Sequence, residues 1–95
     1  MISKYELVNY NNKTGLWQIK ALISFNNIKA GDLGGWIEKE SNLAHDGDCW
    51  IYDNAKVYGD ATVFDNAEVY GDAKVFNNAE VYGDAEVFDK ALVYG

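Results

Sequence analysis

Proline is absent from this chain of 95 residues, and cysteine and histidine occur once each. The lack of proline suits uninterrupted strand ladders, because proline cannot donate a hydrogen bond to a neighbouring strand. Cys49 cannot form an internal disulfide, which indicates a reducing compartment, and its small-residue position predicts a buried thiol. Because His45 is the single histidine, a three-histidine zinc site is excluded, and without a second cysteine we do not expect Cys49 to bind a metal. We expect neither a metal nor a cofactor.

Basic residues are also scarce, with 8 lysines and arginines against 15 acidic residues and a net charge of −7. Phosphates are attracted to basic side chains, so this charge disfavours direct binding to nucleic acid or to an anionic membrane. It is compatible with a basic protein partner, including one whose normal ligand is DNA. It is equally compatible with an acidic surface that only keeps a small protein soluble.

Long apolar runs are missing as well. The N-terminal stretch lacks the apolar segment of a signal peptide, and no part of the chain approaches the length of a membrane span. We therefore expect a cytoplasmic protein. Gly31, Gly34 and Gly35 have neither the spacing nor the following lysine of a nucleotide-binding loop. Calcium is not expected either, because asparagine and glycine interrupt the row of turn aspartates.

What the chain does contain, from Cys49 to its last residue, is a repeat with a period of six. Each hexad has a small residue first, a β-branched residue third, an aromatic fourth and turn residues at the end. This period excludes an ordinary helix, whose apolar positions recur about every 3.6 residues, and is typical of a solenoid. Residues two apart in a strand point to the same side, so the first and third positions face inward. The predicted core row is Ile51, Val57, Val63, Val69, Val75, Val81, Val87 and Val93.

These hexads resemble the repeat of left-handed parallel β-helices. The leader AGDLGGWIEKESNL, followed by GDCWIYDNAKVYGDA, further resembles the YdcK-type β-solenoid proteins of bacteria and phages. The resemblance implies an all-β fold, a triangular left-handed parallel β-helix of under three turns in which about 18 residues complete a turn. It implies no established activity.

The chain divides into a non-repeating region, residues 1–42, and the hexad coil, residues 43–95. Strands over residues 4–10 and 16–25, joined by a turn cluster, predict an N-terminal β-hairpin that caps the coil. The second strand is expected to turn one apolar face inward, formed by Trp17, Ile19, Ala21, Ile23 and Phe25.

The link between hairpin and coil has its own predictions. Residues 26–35 read as a loop in which Gly34 and Gly35 supply positive φ. The hexad pattern is expected to begin one repeat early, with Leu43 in the small position and His45 in the aliphatic position.

A turn of about 18 residues, or three hexads, predicts a coil with three faces. Face one comprises residues 50–52, 68–70 and 86–88, face two comprises 56–58, 74–76 and 92–94, and face three comprises 62–64 and 80–82. The aromatic of each hexad follows an inward valine and therefore points outward. Stacked aromatics stabilise neighbouring strands, but an extended apolar surface usually marks an interface.

Face two is the predicted surface of self-association, because it ends in exposed apolar residues without a polar capping segment. We expect a two-fold dimer, with a trimer as the alternative. The residues assigned to this surface are Tyr58, Phe76, Leu92 and Tyr94.

Acidic residues recur at fixed hexad positions, and some stack directly on one another. Like charges that lie this close repel, so they either serve the binding of a partner or splay apart into solvent. We predict an acidic partner-binding face, formed by Glu68, Glu86, Glu80, Asp60, Asp72 and Asp84.

The function that follows is a non-enzymatic protein-binding module, encoded by a phage or mobile element. It would inhibit a host defence protein, such as a CRISPR effector or another nucleic-acid-binding nuclease, by mimicking DNA. That mimicry is an analogy with pentapeptide-repeat proteins. One alternative is a structural module that self-associates through its coil. The other is an acyltransferase-like remnant, but a lone His45 is more typical of a structural residue than of a catalytic base.

Overall fold

The computed structural model describes residues 3–95. The fold is all-β, with a single short 3-10 helix, η1, at Glu40–Asn42 among the residues described. The first three strands are β1 (Tyr5–Asn11), β2 (Leu16–Ala21) and β3 (Leu33–Ile37). The hexad strands are β4 (Trp50–Ile51), β5 (Lys56–Val57), β6 (Thr62–Val63), β7 (Glu68–Val69), β8 (Lys74–Phe76), β9 (Glu80–Val81), β10 (Glu86–Val87) and β11 (Leu92–Tyr94). Within residues 3–95, no helix has the length and apolar character needed to cross a membrane.

Each hexad strand pairs in parallel with the strand three hexads later, which confirms the predicted solenoid. Strands β4, β7 and β10 form face one, β5, β8 and β11 form face two, and β6 and β9 form face three. Val57 pairs with Val75, and Val75 with Val93. Each strand thus lies on the equivalent residues of the previous turn, and the hexad strands make under three turns.

The inward row forms the centre of the core. Ile51, Val57, Val63, Val69 and Val75 are each 0% exposed. Val81 and Val87 are also buried, and Val93 on the last strand is only partly buried. Cys49 occupies the small position that alanine fills in later hexads and is fully buried. Each fully buried valine contributes about 1.5–3 kcal/mol, so this row is a main source of stability.

Every corner between hexad strands has one residue in the left-handed conformation, at the fifth hexad position. These residues are Asp53, Gly59, Asp65, Gly71, Asn77, Gly83 and Asp89. Glycine, asparagine and aspartate tolerate positive φ better than other residues do. Glycine alternates with aspartate or asparagine from hexad to hexad. Because one turn contains three hexads, corner residues 18 apart in sequence lie above one another and form a corner column. The alternation therefore places glycine next to aspartate or asparagine in every corner column.

The alternation has a packing reason and a hydrogen-bonding reason. A Cβ atom at Gly71 would lie 3.0 Å from the backbone nitrogen of Asp89 in the next turn. The amide of Gly71 donates to Asp53 Oδ2 (3.1 Å), and the amide of Gly83 donates to Asp65 Oδ2 (3.1 Å). The aspartate side chain therefore binds the backbone amide of the glycine in the next turn. Because that glycine has no Cβ atom, the backbone of the turn after it can approach closely.

The predicted N-terminal hairpin is confirmed, since β1 and β2 pair antiparallel with Tyr5 opposite Ala21. The second strand is shorter than expected, because the residues after Ala21 turn back and form a bridge between Phe25 and Ile28. As a result Ile23 lies outside the strand and is 38% exposed, so its predicted inward position is wrong. Trp17 is only partly buried, whereas Ile19 and Ala21 are buried.

The expectation for the glycine pair is also wrong. Gly34 and Gly35 lie inside β3, are buried, and do not have positive φ. A Cβ at Gly34 would lie 2.6 Å from the backbone oxygen of Ile51 and 2.7 Å from Ile19 Cγ1. These glycines are required because hairpin and coil approach closely there, not because of backbone conformation.

Strand β3 joins the hairpin to the coil. It pairs antiparallel with β2 and parallel with β5, so β1-β2-β3-β5-β8-β11 is one continuous sheet. Ile37 pairs with Val57 and Leu43 bridges to Val63, and the partners in both pairs are further apart in sequence than three hexads. Leu43 therefore takes the aliphatic position, and its predicted small position and the aliphatic position predicted for His45 are wrong. The division at residues 42 and 43 stays a prediction.

Candidate functional site

One side of the coil carries most of its negative charge. We define the acidic side as face one together with the residues at the fifth and sixth hexad positions of the two corners that flank it. It contains eight of the fifteen acidic residues and one of the eight basic residues, Lys90. Its carboxylates belong to Asp48, Asp53, Asp65, Glu68, Asp72, Asp84, Glu86 and Asp89.

The structure brings together four of the six residues predicted for acidic binding. Glu68, Glu86, Asp72 and Asp84 lie on the acidic side. Glu80 lies on face three, on β9. Asp60 lies at the corner between faces two and three.

Asp60 is also engaged in an ion pair, because Lys39 Nζ lies 2.9 Å from its Oδ1. That hydrogen bond raises the pKa of Lys39. Asp60 and Asp84 share a hexad position but belong to different corners, since equivalent residues return to the same corner only at every third hexad.

Tyrosines of face one bind the glutamates of the following turn. Tyr52 donates its phenol proton to Glu68 Oε2 (3.0 Å), and Tyr70 donates to Glu86 Oε1 (3.1 Å). Burial, and then the neighbouring glutamate, raises the pKa of Tyr52 above its ordinary value, and the same causes raise the pKa of Tyr70. These donors offset part of the repulsion between the stacked Glu68 and Glu86.

On each face the aromatic residues of successive turns lie above one another and form an aromatic ladder, in which each neighbouring pair is one step. The ladder of face one, formed by Tyr52, Tyr70 and Phe88, differs from the other two ladders at its first step. Tyr52 and Tyr70 are perpendicular, with ring centroids 6.3 Å apart and an interplanar angle of 89°. The other four ladder pairs stack at 5.2–5.5 Å with interplanar angles of 7–18°. Beside this open step lies a shallow cleft of about 280 Å³, lined by Asn27, Tyr52, Asp53, Glu68 and Tyr70.

Sequence reasoning assigned no binding role to Asn27, Tyr52 or Tyr70. The sequence did contain a signal for the two tyrosines. Since every third hexad stacks, Tyr52 lies above Tyr70 on face one, and both tyrosines are therefore close to Glu68. Nothing in the sequence indicates Asn27, which reaches the coil from the loop between β2 and β3.

The cap also covers part of face one. Trp50 on β4 is 1% exposed, because Phe25 and Tyr5 pack edge-on against it at 5.4 Å and 6.4 Å. The exposed part of face one therefore begins at Tyr52, one position after β4 ends.

Face two gathers all four residues predicted for self-association. Tyr58 stacks on Phe76 at 5.4 Å, and Phe76 stacks on Tyr94 at 5.2 Å. Leu92 and Tyr94 are 58% and 64% exposed. The three aromatic rings of face two therefore stack on one another within the chain, and the apolar side chains of its last turn remain exposed.

Sequence reasoning did not foresee a polar cluster between the hairpin and the coil. Lys4 is 1% exposed, and its Nζ donates to the carbonyl oxygens of Gly47 (3.1 Å) and Cys49 (2.7 Å). It also lies 3.4 Å from Cys49 Sγ and 4.8 Å above the ring of Phe25. These partners are distant from Lys4 in sequence, so no local pattern indicates them.

His45 belongs to the same cluster. Its Nδ1 accepts a hydrogen bond from the backbone amide of Lys4 (3.0 Å), and its ring stacks on Tyr5 at 4.2 Å. Tyr5 donates its hydroxyl proton to the backbone oxygens of Glu40 and Leu43. The contacts of His45 are those of a structural residue, since one ring nitrogen and one ring face are already occupied.

The cluster lacks the features of an activated thiol. Burial raises the pKa of Cys49, and nearby Lys4 lowers it by less. A thiol with a raised pKa is a poor nucleophile at neutral pH. Among residues 3–95, no group of three histidine, cysteine or carboxylate side chains is placed to hold a metal ion.

Comparison with known proteins gives a partial match to a bacterial protein. No family model matches the chain. Over 42 residues, 44% of this chain, it is 50% identical to the "Uncharacterized acetyltransferase YdcK" of Escherichia coli strain K12. The match spans 13% of that protein, so the chain corresponds to a small part of its relative. Sequence and fold together show a partial homologue of YdcK built as a hexapeptide-type β-solenoid.

Proposed function

We propose that this chain is a non-enzymatic protein-binding module whose acidic side docks on a basic surface of a protein partner. The observation that carries the proposal is the charge of that side, which contains eight carboxylates and a single lysine. The partner is a protein whose normal ligand is a nucleic acid, and the carboxylates take the place of phosphates.

Charge density supports this mimicry. Three strands about 4.8 Å apart place the carboxylates of the acidic side along roughly 10 Å of the coil axis. Duplex DNA carries about one charge per 1.7 Å of its axis. The two densities are of the same order, so a channel that accepts a duplex offers complementary charge to this side of the coil.

Several of these carboxylates are held in place before any partner binds. Asp53 and Asp65 accept hydrogen bonds from glycine amides, and Glu68 and Glu86 accept them from tyrosines. A group that is already ordered loses less conformational entropy on binding. The acidic side therefore behaves as a rigid template rather than a set of free side chains.

The proposal extends to origin and target. We propose a gene carried by a phage or mobile element, and a host defence nuclease as the target. The motivation is that such nucleases have the basic channels that a rigid acidic coil fits.

The test is affinity capture of a basic host protein, followed by mass spectrometry, with two triple variants. Asp72→Asn/Asp84→Asn/Glu86→Gln removes three charges from the acidic side and none from the carboxylates that line the cleft, and the new glutamine keeps an acceptor for Tyr70. Glu6→Gln/Asp32→Asn/Glu80→Gln removes three charges elsewhere. We expect the first variant to lose a nucleic-acid-binding protein that the wild type and the second variant retain, and duplex DNA to compete with it. Equal capture by both variants would overturn the proposal.

A second candidate function is assembly through face two, favoured by the exposure of Leu92 and Tyr94. A third is an acyltransferase-like remnant, motivated by the name of the bacterial relative. The hydrogen bond and ring stacking of His45 weigh against a general base at that position.

A further inference from the structure

We infer that the cleft between Tyr52 and Tyr70 receives an arginine side chain of the partner protein. This inference rests on the proposed function, because it names the group that the acidic side recognises. The cleft lies on the acidic side and is lined by two carboxylates, two tyrosine rings and the amide of Asn27.

The carboxylates of the cleft have no cationic partner within residues 3–95. Among residues 3–95, the contacts of basic side chains with carboxylates join Lys39 to Asp60 and His45 to Glu40, and neither includes Asp53 or Glu68. Asp53 binds the Gly71 amide through Oδ2, and Glu68 binds Tyr52 through Oε2. Each carboxylate therefore keeps one oxygen that accepts no hydrogen bond from the described part of the chain.

The internal hydrogen bonds orient both carboxylates without satisfying them. A carboxylate that has a free oxygen and a fixed position is a strong acceptor for a charged donor. The chain itself has no arginine, since all eight of its basic residues are lysines. A guanidinium in the cleft must therefore come from another molecule.

The aromatic walls favour arginine over lysine. A guanidinium is planar, stacks on aromatic faces and presents several N–H donors in a fixed fork, whereas an ammonium is compact and strongly hydrated. The perpendicular arrangement of Tyr52 and Tyr70 leaves the step between them open, while every other ladder step is closed by stacking. The cleft thus combines an open aromatic step with two acceptors, and its volume of about 280 Å³ admits one long side chain.

The test is an NMR titration of the full chain with the peptide acetyl-Gly-Arg-Gly-amide at low ionic strength. The same peptide with lysine or with uncharged citrulline serves for comparison. We expect shifts centred on the Gly71 amide and the rings of Tyr52 and Tyr70. We expect binding about three- to tenfold weaker for lysine and no binding for citrulline, because both the planar fork and the charge contribute.

Two double variants with equal charge locate the site. Asp53→Asn/Glu68→Gln keeps the acceptors for Gly71 and Tyr52 and removes both charges from the cleft. Asp65→Asn/Glu80→Gln removes two charges from the same hexad positions outside it. We expect the first to weaken arginine binding about tenfold or more and the second to change it by less than about twofold. A dispersed amide spectrum of each variant shows that it is folded.

The outcomes separate this inference from the proposed function. Equal weakening in both double variants, equal binding of the three peptides, or no shifts at all would each overturn the arginine cleft. The capture experiment with the Asp72, Asp84 and Glu86 variant keeps Asp53 and Glu68, the two carboxylates of the cleft. A partner lost in that experiment supports the proposed function even when the cleft is refuted, and a partner retained there refutes the function whatever the peptide does.

Discussion

Tyr52 donates its phenol proton to Glu68 Oε2 over 3.0 Å, and this bond joins the aromatic ladder of face one to its row of carboxylates. Burial is the main reason that the pKa of Tyr52 is raised, and the bond and charge of Glu68 add to it. Substitution Glu68→Gln removes the charge and keeps an acceptor. We expect the pKa of Tyr52 to fall but to stay above its ordinary value, as followed by tyrosinate absorbance with NMR assignment.

Glu86→Gln is the matched control for this prediction, because Glu86 accepts its bond from Tyr70 instead. It should lower the pKa of Tyr70 and leave Tyr52 nearly unchanged. If Glu68→Gln left the Tyr52 titration where it is in the wild type, the coupling between ladder and carboxylates would be refuted.

The corner columns give a prediction about stability. Gly71 and Gly83 both have positive φ, +71° and +64°. A Cβ at Gly71 meets the backbone nitrogen of Asp89 at 3.0 Å, whereas a Cβ at Gly83 meets nothing within 4 Å. We expect Gly83→Ala to cost about 1–2 kcal/mol of unfolding free energy from backbone conformation alone. We expect Gly71→Ala to cost about 1 kcal/mol more from crowding.

Urea denaturation of both variants beside the wild type measures the difference. Because the backbone term is common to the two substitutions, only the contact between successive turns distinguishes them. Equal destabilisation would show that stacking of unlike corner residues contributes nothing.

The cluster under the hairpin predicts a loss of stability at alkaline pH. Burial, and then the charges of Glu40 and Cys49, raises the pKa of Tyr5 above its ordinary value near 10. In the unfolded chain Tyr5 ionises at that ordinary value. Its stabilising contribution is therefore complete below about pH 10 and declines above it, by at most about 1.4 kcal/mol per pH unit.

Tyr5→Phe isolates this effect in urea denaturation at pH values from about 8 to 11. At neutral pH the variant should be less stable by about 1–3 kcal/mol, because the backbone oxygens of Glu40 and Leu43 lose their donor. The gap between wild type and variant should narrow as the pH rises above about 10. Parallel pH profiles would contradict the assignment of the buried phenol.

Face two predicts self-association as a dimer, with a trimer as the alternative. Leu92→Ser/Tyr94→Ser removes its two most exposed apolar side chains and should shift the chain to a monomer in analytical ultracentrifugation. Tyr82→Ser/Phe88→Ser, which changes exposed aromatics on the other two faces, should leave the dimer intact. A monomeric wild type, or equal effects of both pairs, would exclude face two as the interface.

Strict periodicity explains which parts of this fold the sequence predicts. Val57, Val75 and Val93 follow one another at every third hexad, and the repeat leaves no other register that buries all of them. The same spacing correctly predicts that Glu68 stacks on Glu86 and Tyr58 on Phe76.

The repeat makes no prediction where it is interrupted. Leu43 pairs outside the hexad register because the first turn of the coil is longer than the later ones. Lys4, His45 and Cys49 meet across a large part of the chain, with no periodic relation between them. The cleft could be predicted only in part, because its tyrosines follow the repeat whereas Asn27 comes from a loop outside it.

The most direct test of the central claim is the affinity of the captured basic protein for this chain, measured by calorimetry as salt is raised. Opposed charges on exposed surfaces are screened within about 10 Å at about 0.1 M salt. We predict that affinity falls steeply with salt and that Asp72→Asn/Asp84→Asn/Glu86→Gln flattens this dependence, while Glu6→Gln/Asp32→Asn/Glu80→Gln does not. An affinity indifferent to salt, or equally changed by both variants, would contradict recognition through the acidic side.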